Sequence, residues 1–156
     1  MSNRSMFPLS KRLRGYTLTE LLVTMAVLAI IASIAVPAYT SEMQKSRRAD
    51  ARNALLDIAG REERFLSVSN SYSSVTTDVG YTGVWPQNVF NNYYQVNVTV
   101  PDPAFVAAGG VGPSFTITAT AIGVQASDGA CTTFTLNQTG VQGSTGTAAP
   151  TTCWGS

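Results

Sequence analysis

The distribution of apolar positions divides the chain into three regimes. From Leu21 to Val36 nearly every position is apolar and none is charged, the pattern of a helix surrounded on all sides by lipid or by other helices. The run is short for a full span by itself, but Tyr16 to Tyr39 together reach membrane-crossing length. Past Pro37 the pattern becomes one-sided: Ala51, Leu55, Ile58, Ala59, Phe65 and Leu66 recur at three- and four-residue spacing. That spacing predicts an amphipathic helix with a stripe able to cover a sheet. Arg47, Arg48, Arg52, Asp57, Arg61 and Arg64 fall on its other faces, with Asp57 and Arg61 four apart in the favourable order. One helix from Tyr16 to about Val68 would be about 80 Å long at 1.5 Å per residue, too long for so small a domain to bury. Pro37 should kink or loosen it, because proline lacks the N–H and crowds the preceding turn.

Beyond the helix the period changes to two. Ser67 to Asn92 is rich in Ser, Thr, Asn and Gly, with Tyr72, Tyr81, Trp85 and Pro86 spaced through it, and reads as an extended loop pinned by aromatics. Tyr94–Val100 alternates polar and apolar and is closed by Pro101 and Pro103; Phe115–Ala121 alternates too, with Phe115 and Ile117 on the inward face. A Ser127-Asp128-Gly129 turn then precedes a third strand, about Cys131 to Asn137, in which Phe134 and Leu136 point inward. The three suit an antiparallel meander laid on the helix stripe. The tail from Gly140 to Thr152 is small and polar and could not hold a fold alone.

Charge adds direction. Of 156 residues only 12% are charged, and the net charge is +1. Arg4, Lys11, Arg12 and Arg14 precede Gly15 with no acidic residue among them, so the chain from Tyr16 onward carries six basic and nine acidic residues, a net −3. Positive charge before an apolar segment holds that end in the cytoplasm, so the remainder should cross outward. Cys131 and Cys153 then lie on the exported side, where an even count reads as one disulfide. The link would close a 23-residue loop, worth about 3.4 kcal/mol by loop entropy, with Trp154 expected to pack beside it.

The one carboxylate at the start of the apolar run, Glu20, changes the picture most. A charge at the centre of a membrane span costs about 2.5–3.5 kcal/mol on insertion scales and marks function by default. If the chain is cut before Tyr16, a new α-amine appears four residues from Glu20. In a low-dielectric setting that amine and carboxylate attract strongly, within one chain or between two.

Enzyme chemistry is not expected. The chain has no histidine, which removes the usual acid–base and triad arrangements, and neither a metal set nor a cofactor site is expected. Glu62 and Glu63 are adjacent and face different directions, so a solvated face or a contact between subunits is the reading for them. Gly109-Gly110-Val111-Gly112 lacks the lysine of a phosphate loop. Arg47, Arg48 and Arg52 invite a nucleic-acid or lipid-headgroup reading, but just outside a membrane segment an anchor or packing role is more natural. DNA binding is not expected of this chain alone. Asn97-Val98-Thr99 and Asn137-Gln138-Thr139 match glycosylation sequons, a pattern common by chance.

The stretch Arg14-Gly15-Tyr16-Thr17-Leu18-Thr19-Glu20, followed by the apolar run and Pro37, resembles the class III signal of type IV prepilins and of the type II secretion pseudopilins. Tyr16 stands where phenylalanine is commoner. Arg48-Ala49-Asp50-Ala51-Arg52, Arg61-Glu62-Glu63-Arg64-Phe65 and, near the end, Thr135–Gly140 with Cys153-Trp154 are similar to PilE-like type IVa pilins. The resemblance implies an α+β pilin fold: a long N-terminal helix, hydrophobic in its first half, packed on an antiparallel sheet of at least three strands, with a disulfide-bounded C-terminal region. It implies three parts: a cleaved leader at 1–15, a transmembrane or filament-core helix at 16–39, and a periplasmic or extracellular globular domain at 40–156. It further implies cleavage by a prepilin peptidase between Gly15 and Tyr16, N-methylation of Tyr16, assembly roles for Glu20 and Pro37, and a Cys131–Cys153 bond. The partners implied are other pilin subunits, the peptidase, the inner-membrane assembly platform and, before assembly, inner-membrane lipid around a single span with a cytoplasmic N-terminus. Filaments of the family serve twitching motility, adhesion and DNA uptake. A type II secretion pseudopilin is the alternative, disfavoured by the cystine-bounded tail; a membrane-tethered binding module would leave Glu20 unexplained.

Overall fold

A computed structural model describes residues 15–89 and 92–155. The leader expected at residues 1–15 lies outside the described residues except for Gly15. Helix α1 runs Leu18–Ser69, 52 residues, within about two residues of the predicted bounds at each end. Its assignment continues unbroken through Pro37, where the residue's missing N–H leaves the Ser33 carbonyl without its usual donor. Nearby hydroxyls fold back onto the backbone, Ser33 Oγ onto Ile30 O at 2.7 Å and Thr40 Oγ1 onto Pro37 O at 2.9 Å. The chain divides into two compact units after Thr40, taken separately below.

In the first unit α1 is the one regular element among the described residues, and its side chains are exposed from Tyr16 to Thr40. By length and composition this part of α1 is able to cross a membrane.

The second unit, beginning at Ser41, contains the rest of α1 and a five-stranded sheet: β1 (Gln87–Val89), β2 (Tyr94–Thr99), β3 (Thr116–Ala121), β4 (Thr133–Asn137) and β5 (Gln142–Thr145). Strand order follows the sequence, and every neighbouring pair is antiparallel. The three predicted strands are β2, β3 and β4; β1 and β5 came from segments too short or too polar to show alternation. Two short helices complete the unit, α2 (Pro103–Ala107) and α3 (Pro150–Trp154).

The core is the stripe predicted from spacing, met by the inward face of the sheet. Ala51, Ala54, Leu55 and Ile58 of α1 are buried with Val96, Val98, Phe115, Ile117, Ala119, Phe134 and Leu136. Each of the larger apolar side chains contributes about 1.5–3 kcal/mol on removal from water. Phe134 lies at the centre, its ring 5.9 Å from both Tyr94 and Trp154 in edge contacts. Phe65, expected in the stripe, is only half-buried, because the stripe drifts off the sheet towards the end of α1.

Cys131 and Cys153 are bonded, with Cα atoms 5.8 Å apart, and both are buried. Trp154 packs next to them as expected, and its Nε1 donates to Gly143 O at 2.8 Å. That bond ties α3 to the outermost strand. The tail expected to depend on the disulfide is thus also tied through its own strand and helix. Gly146 bears a positive φ of 135°, and a Cβ there would run into the Ala130 backbone. The tail can close onto the start of β4 only with glycine at this position.

The turn read at Ser127-Asp128-Gly129 has a deeper role than its sequence suggested. Asp128 is buried and takes a two-pronged pair from Arg48 of α1, Nε to Oδ2 at 2.6 Å and Nη2 to Oδ1 at 2.7 Å. Beside it Gln125, also buried, donates through Nε2 to Asp128 Oδ2 at 3.0 Å and to Gln44 O at 3.3 Å. Arg48 was placed by its spacing on an outer face of the helix; instead it pins the β3–β4 connection to α1. Its guanidinium is held even more firmly in the charged form by the Asp128 bond. Arg48→Ala should cost about 3–5 kcal/mol, since it leaves a buried carboxylate without its partner. Arg48→Met combined with Asp128→Leu should recover most of that loss, and chemical denaturation of the wild type, the alanine variant and the double variant measures both.

Candidate functional site

The residues singled out for processing and assembly lie at the start of the first unit. Gly15, Tyr16 and Thr17 precede the helix, and Tyr16 is 79% exposed. Thr17 is the residue before Leu18, and its Oγ1 accepts from the backbone N–H of Glu20 at 3.2 Å. A second contact, Thr17 Oγ1 to Thr19 Oγ1 at 3.1 Å, orients the hydroxyl. This is half of a capping box: a threonine before the helix satisfies an otherwise orphaned donor, with glutamate three residues on. The Thr-x-x-Glu spacing marks this helix start, and the bond is made by the Glu20 backbone N–H rather than by its carboxylate. At the third helical position the carboxylate also faces the positive end of the helix dipole.

Around Glu20 the helix surface is apolar. Leu18, Leu21, Leu22, Val23 and Met25 are each more than half exposed. Pro37 lies at the other end of this surface. Of the predicted residues, the fold brings together Cys131 and Cys153, while Gly15, Tyr16, Glu20 and Pro37 follow one another along a single segment.

Polar centres that sequence reasoning missed lie in the second unit. Glu62 was expected on a solvated face or in a contact between subunits, yet it is wholly buried within the chain itself. Its Oε2 accepts from the Ser73 backbone N–H at 3.0 Å, while Oε1 is buried without a hydrogen-bond partner. Ser73 Oγ in turn donates to Asp78 Oδ2 at 2.6 Å and accepts from Val75 N–H at 3.0 Å. Tyr72 donates its hydroxyl to Glu63 Oε1 at 2.9 Å, and burial together with that bond pushes the phenol up to about 12. The segment after α1 is therefore hung on two adjacent glutamates. Adjacent positions were expected to face different directions; here they serve two neighbouring attachments of one returning loop. Asp57 is the contrasting carboxylate: the Tyr81 hydroxyl at 2.8 Å and Arg61 at 2.8 Å hold it below its usual range.

Among the described residues no group of three or more His, Cys, Asp or Glu side chains is placed to hold a metal ion.

Two family models match the chain. One, described as the prokaryotic N-terminal methylation motif, matches residues 10–36. The other, described as "Type IV minor pilin ComP, DNA uptake sequence receptor", matches residues 37–135, more than half of the sequence. The chain belongs to the type IV pilin family. Among the relatives of this pilin is the type IV major pilin protein PilA of Myxococcus xanthus (strain DK1622), 28% identical over 91 residues that make up 58% of this chain and 40% of that protein. Another is the fimbrial protein EcpC of Eikenella corrodens, 36% identical over 73 residues, 47% of this chain and 39% of that one. The pilin thus spans about two fifths of the length of these curated relatives. A solved type IV pilin from Shewanella oneidensis aligns with a TM-score of 0.44 and 23% identity, over 64% of this chain and 89% of that one.

Burial pushes the Glu62 carboxyl above the usual glutamate range, and the nearby Asp78 and Glu63 push the same way against the Ser73 bond. A carboxyl whose value is raised by folding binds its proton more tightly in the folded state. Its contribution therefore favours folding at acidic pH and falls as pH rises from the ordinary glutamate value through the raised one. Glu62→Gln should remove this part of the slope and raise stability at neutral pH relative to acid. Thermal melts of both proteins between pH 4 and pH 8 measure the difference.

Proposed function

We propose that this pilin is a structural subunit of a type IV pilus. It is held in the inner membrane by residues 16–39 with its N-terminus in the cytoplasm, and prepilin peptidase cuts it between Gly15 and Tyr16. Tyr16 is then N-methylated, and the chain passes through the assembly platform into a filament that serves motility and adhesion. The observation that carries this reading is a helix surface, exposed and apolar on every side, that bears one carboxylate at its third position. Such a surface needs lipid or copies of itself around it. A carboxylate within it has a reason to persist if assembly brings it a cation, and the amine freed at Tyr16 is one. Residues 40–156 then form the part displayed outward, and the chain itself acts without catalysis.

The description attached to the longer family match favours a second reading, a receptor for DNA during uptake. The distribution of cations speaks against it for this chain acting alone. After Gly15 the basic residues are Lys45, Arg47, Arg48, Arg52, Arg61 and Arg64, and none occurs from Phe65 to Ser156. Arg48 and Arg61 are held by carboxylates, Arg52 donates to Trp154 O, and Arg47 stacks on the Tyr93 ring at 4.1 Å. Binding a duplex draws its affinity from several free lysines or arginines on phosphates, and few remain here.

Replacing Glu20 tests the filament reading. Glu20→Leu should leave the protein folded and membrane-bound but lower its recovery in sheared filaments at least tenfold. Glu20→Asp should retain part of the incorporation. Wild-type recovery for the leucine variant would contradict an assembly role for the carboxylate and leave only its favourable place at the positive end of the helix dipole.

A further inference from the structure

The outward face of the sheet ends in a hollow of about 440 Å³ between the start of α2 and strands β3, β4 and β5. Its sheet lining is mostly from alternate positions that the core does not use, joined by the core residue Leu136. Thr116 lies next to the buried Ile117, and Thr135 and Asn137 flank the buried Leu136. The register places Thr116 directly opposite Asn137. Asp102, 3% exposed, forms the wall on the α2 side, with its Oδ1 held by the Ala104 backbone N–H at 2.9 Å. Pro103 and Val141 supply apolar surface.

Three features distinguish this hollow from an ordinary solvated sheet face. First, Asn137 is fixed in one orientation. Its Oδ1 accepts from Thr139 N–H, Thr139 Oγ1 and Val141 N–H at 3.1, 2.8 and 2.9 Å, which leaves its Nδ2 as a positioned donor. Second, Gly143 lies inside strand β5 without a positive φ, so its backbone does not require glycine. A Cβ there would come within 2.5 Å of Thr135 Oγ1, so the missing side chain keeps both the hydroxyl and the hollow in place. A glycine within a strand weakens it and commonly marks a place where another group approaches closely. Third, the lining has no cation, and the chain has none from Phe65 onward.

We propose that this hollow is a binding subsite for one ring of a neutral saccharide. The volume falls within the range of small-ligand sites, which combine an apolar wall with a few convergent polar groups. A sugar hydroxyl both donates and accepts. A fixed carboxamide donor, two threonine hydroxyls that do either, and one carboxylate acceptor match a pair of neighbouring hydroxyls. The C–H face of the ring lies against Pro103 and Val141. An anion is disfavoured by Asp102 and by the absence of any positive charge, and a purely apolar ligand would strand the polar groups without partners. The subsite belongs to the globular unit alone, so it holds whether or not the chain polymerises.

Titration of the isotope-labelled full chain, kept in a phosphocholine detergent that carries no sugar headgroup, tests the assignment by NMR. Glucose, galactose and N-acetylglucosamine are the neutral probes, and glucuronate is the charged control. At least one neutral sugar should saturably shift the Asn137 side-chain amide and the Gly143 backbone amide, with glucuronate binding at least tenfold more weakly. Thr135→Val should weaken the response at least tenfold, while Thr135→Ser, which restores the hydroxyl, and Thr120→Val, on the same face outside the lining, should retain it. Unchanged melting temperatures would establish that the valine variants are folded. The assignment fails if none of the neutral sugars shifts these amides, if Thr135→Val binds as wild type does, or if glucuronate binds as tightly.

Discussion

Coverage of α1 is the constraint on which the rest depends. A helix satisfies its own backbone, but its side chains need surroundings matched to their chemistry. Before Pro37 those side chains are apolar in every direction, so the match is hydrocarbon or other helices of the same kind. After Ser41 only a stripe is apolar, so the match is one face of a sheet, and Ala51, Leu55 and Ile58 are buried against it. The alternation of β2, β3 and β4 supplies that face, and the opposite face is left to threonine, asparagine and glutamine. The division of α1 into two chemistries is thus a division of labour within one continuous element.

With so few charges, each buried one is conspicuous. Arg48 and Asp128 hold the β3–β4 connection, Glu62 and Glu63 hold the loop that follows α1, and Arg52 holds the carbonyl of Trp154. All three attachments begin on α1 and end on a connecting segment or on the C-terminal helix. Ser/Thr/Gly-rich connections offer few side chains for packing, Tyr72 being one, and the rest is held by hydrogen bonds to charged groups, which are stronger than neutral ones. A small core surrounded by polar loops gains definition in this way, at the cost of one Glu62 carboxylate oxygen buried without a partner.

What the sequence showed, and what it hid, follows the range of the interactions concerned. The period of α1, the alternation of β2 to β4 and the Cys131–Cys153 link rest on local pattern or on simple counting, and each was readable. Strand β1 is three residues long, with Val89 alone packed on the core, and β5 reads Gln-Gly-Ser-Thr; neither is long or apolar enough to show alternation, and both owe their conformation to the neighbouring strand. The burial of Glu62 and the pairing of Arg48 with Asp128, 80 positions apart, depend on which loop returns to which turn of the helix. No local pattern encodes that. Glu20 was legible as an anomaly in an apolar run, whereas the threonine cap on its backbone N–H went unread in the Thr-x-x-Glu spacing.

The most direct measurement is the N-terminus and mass of this chain recovered from filaments sheared off the cells that make it. A chain that begins at Tyr16, with the mass of one added methyl group and an intact disulfide, is the predicted result. A chain that still begins at Met1, or one absent from filaments and confined to the cell envelope, would contradict the account of a subunit freed at Gly15 and built into a pilus.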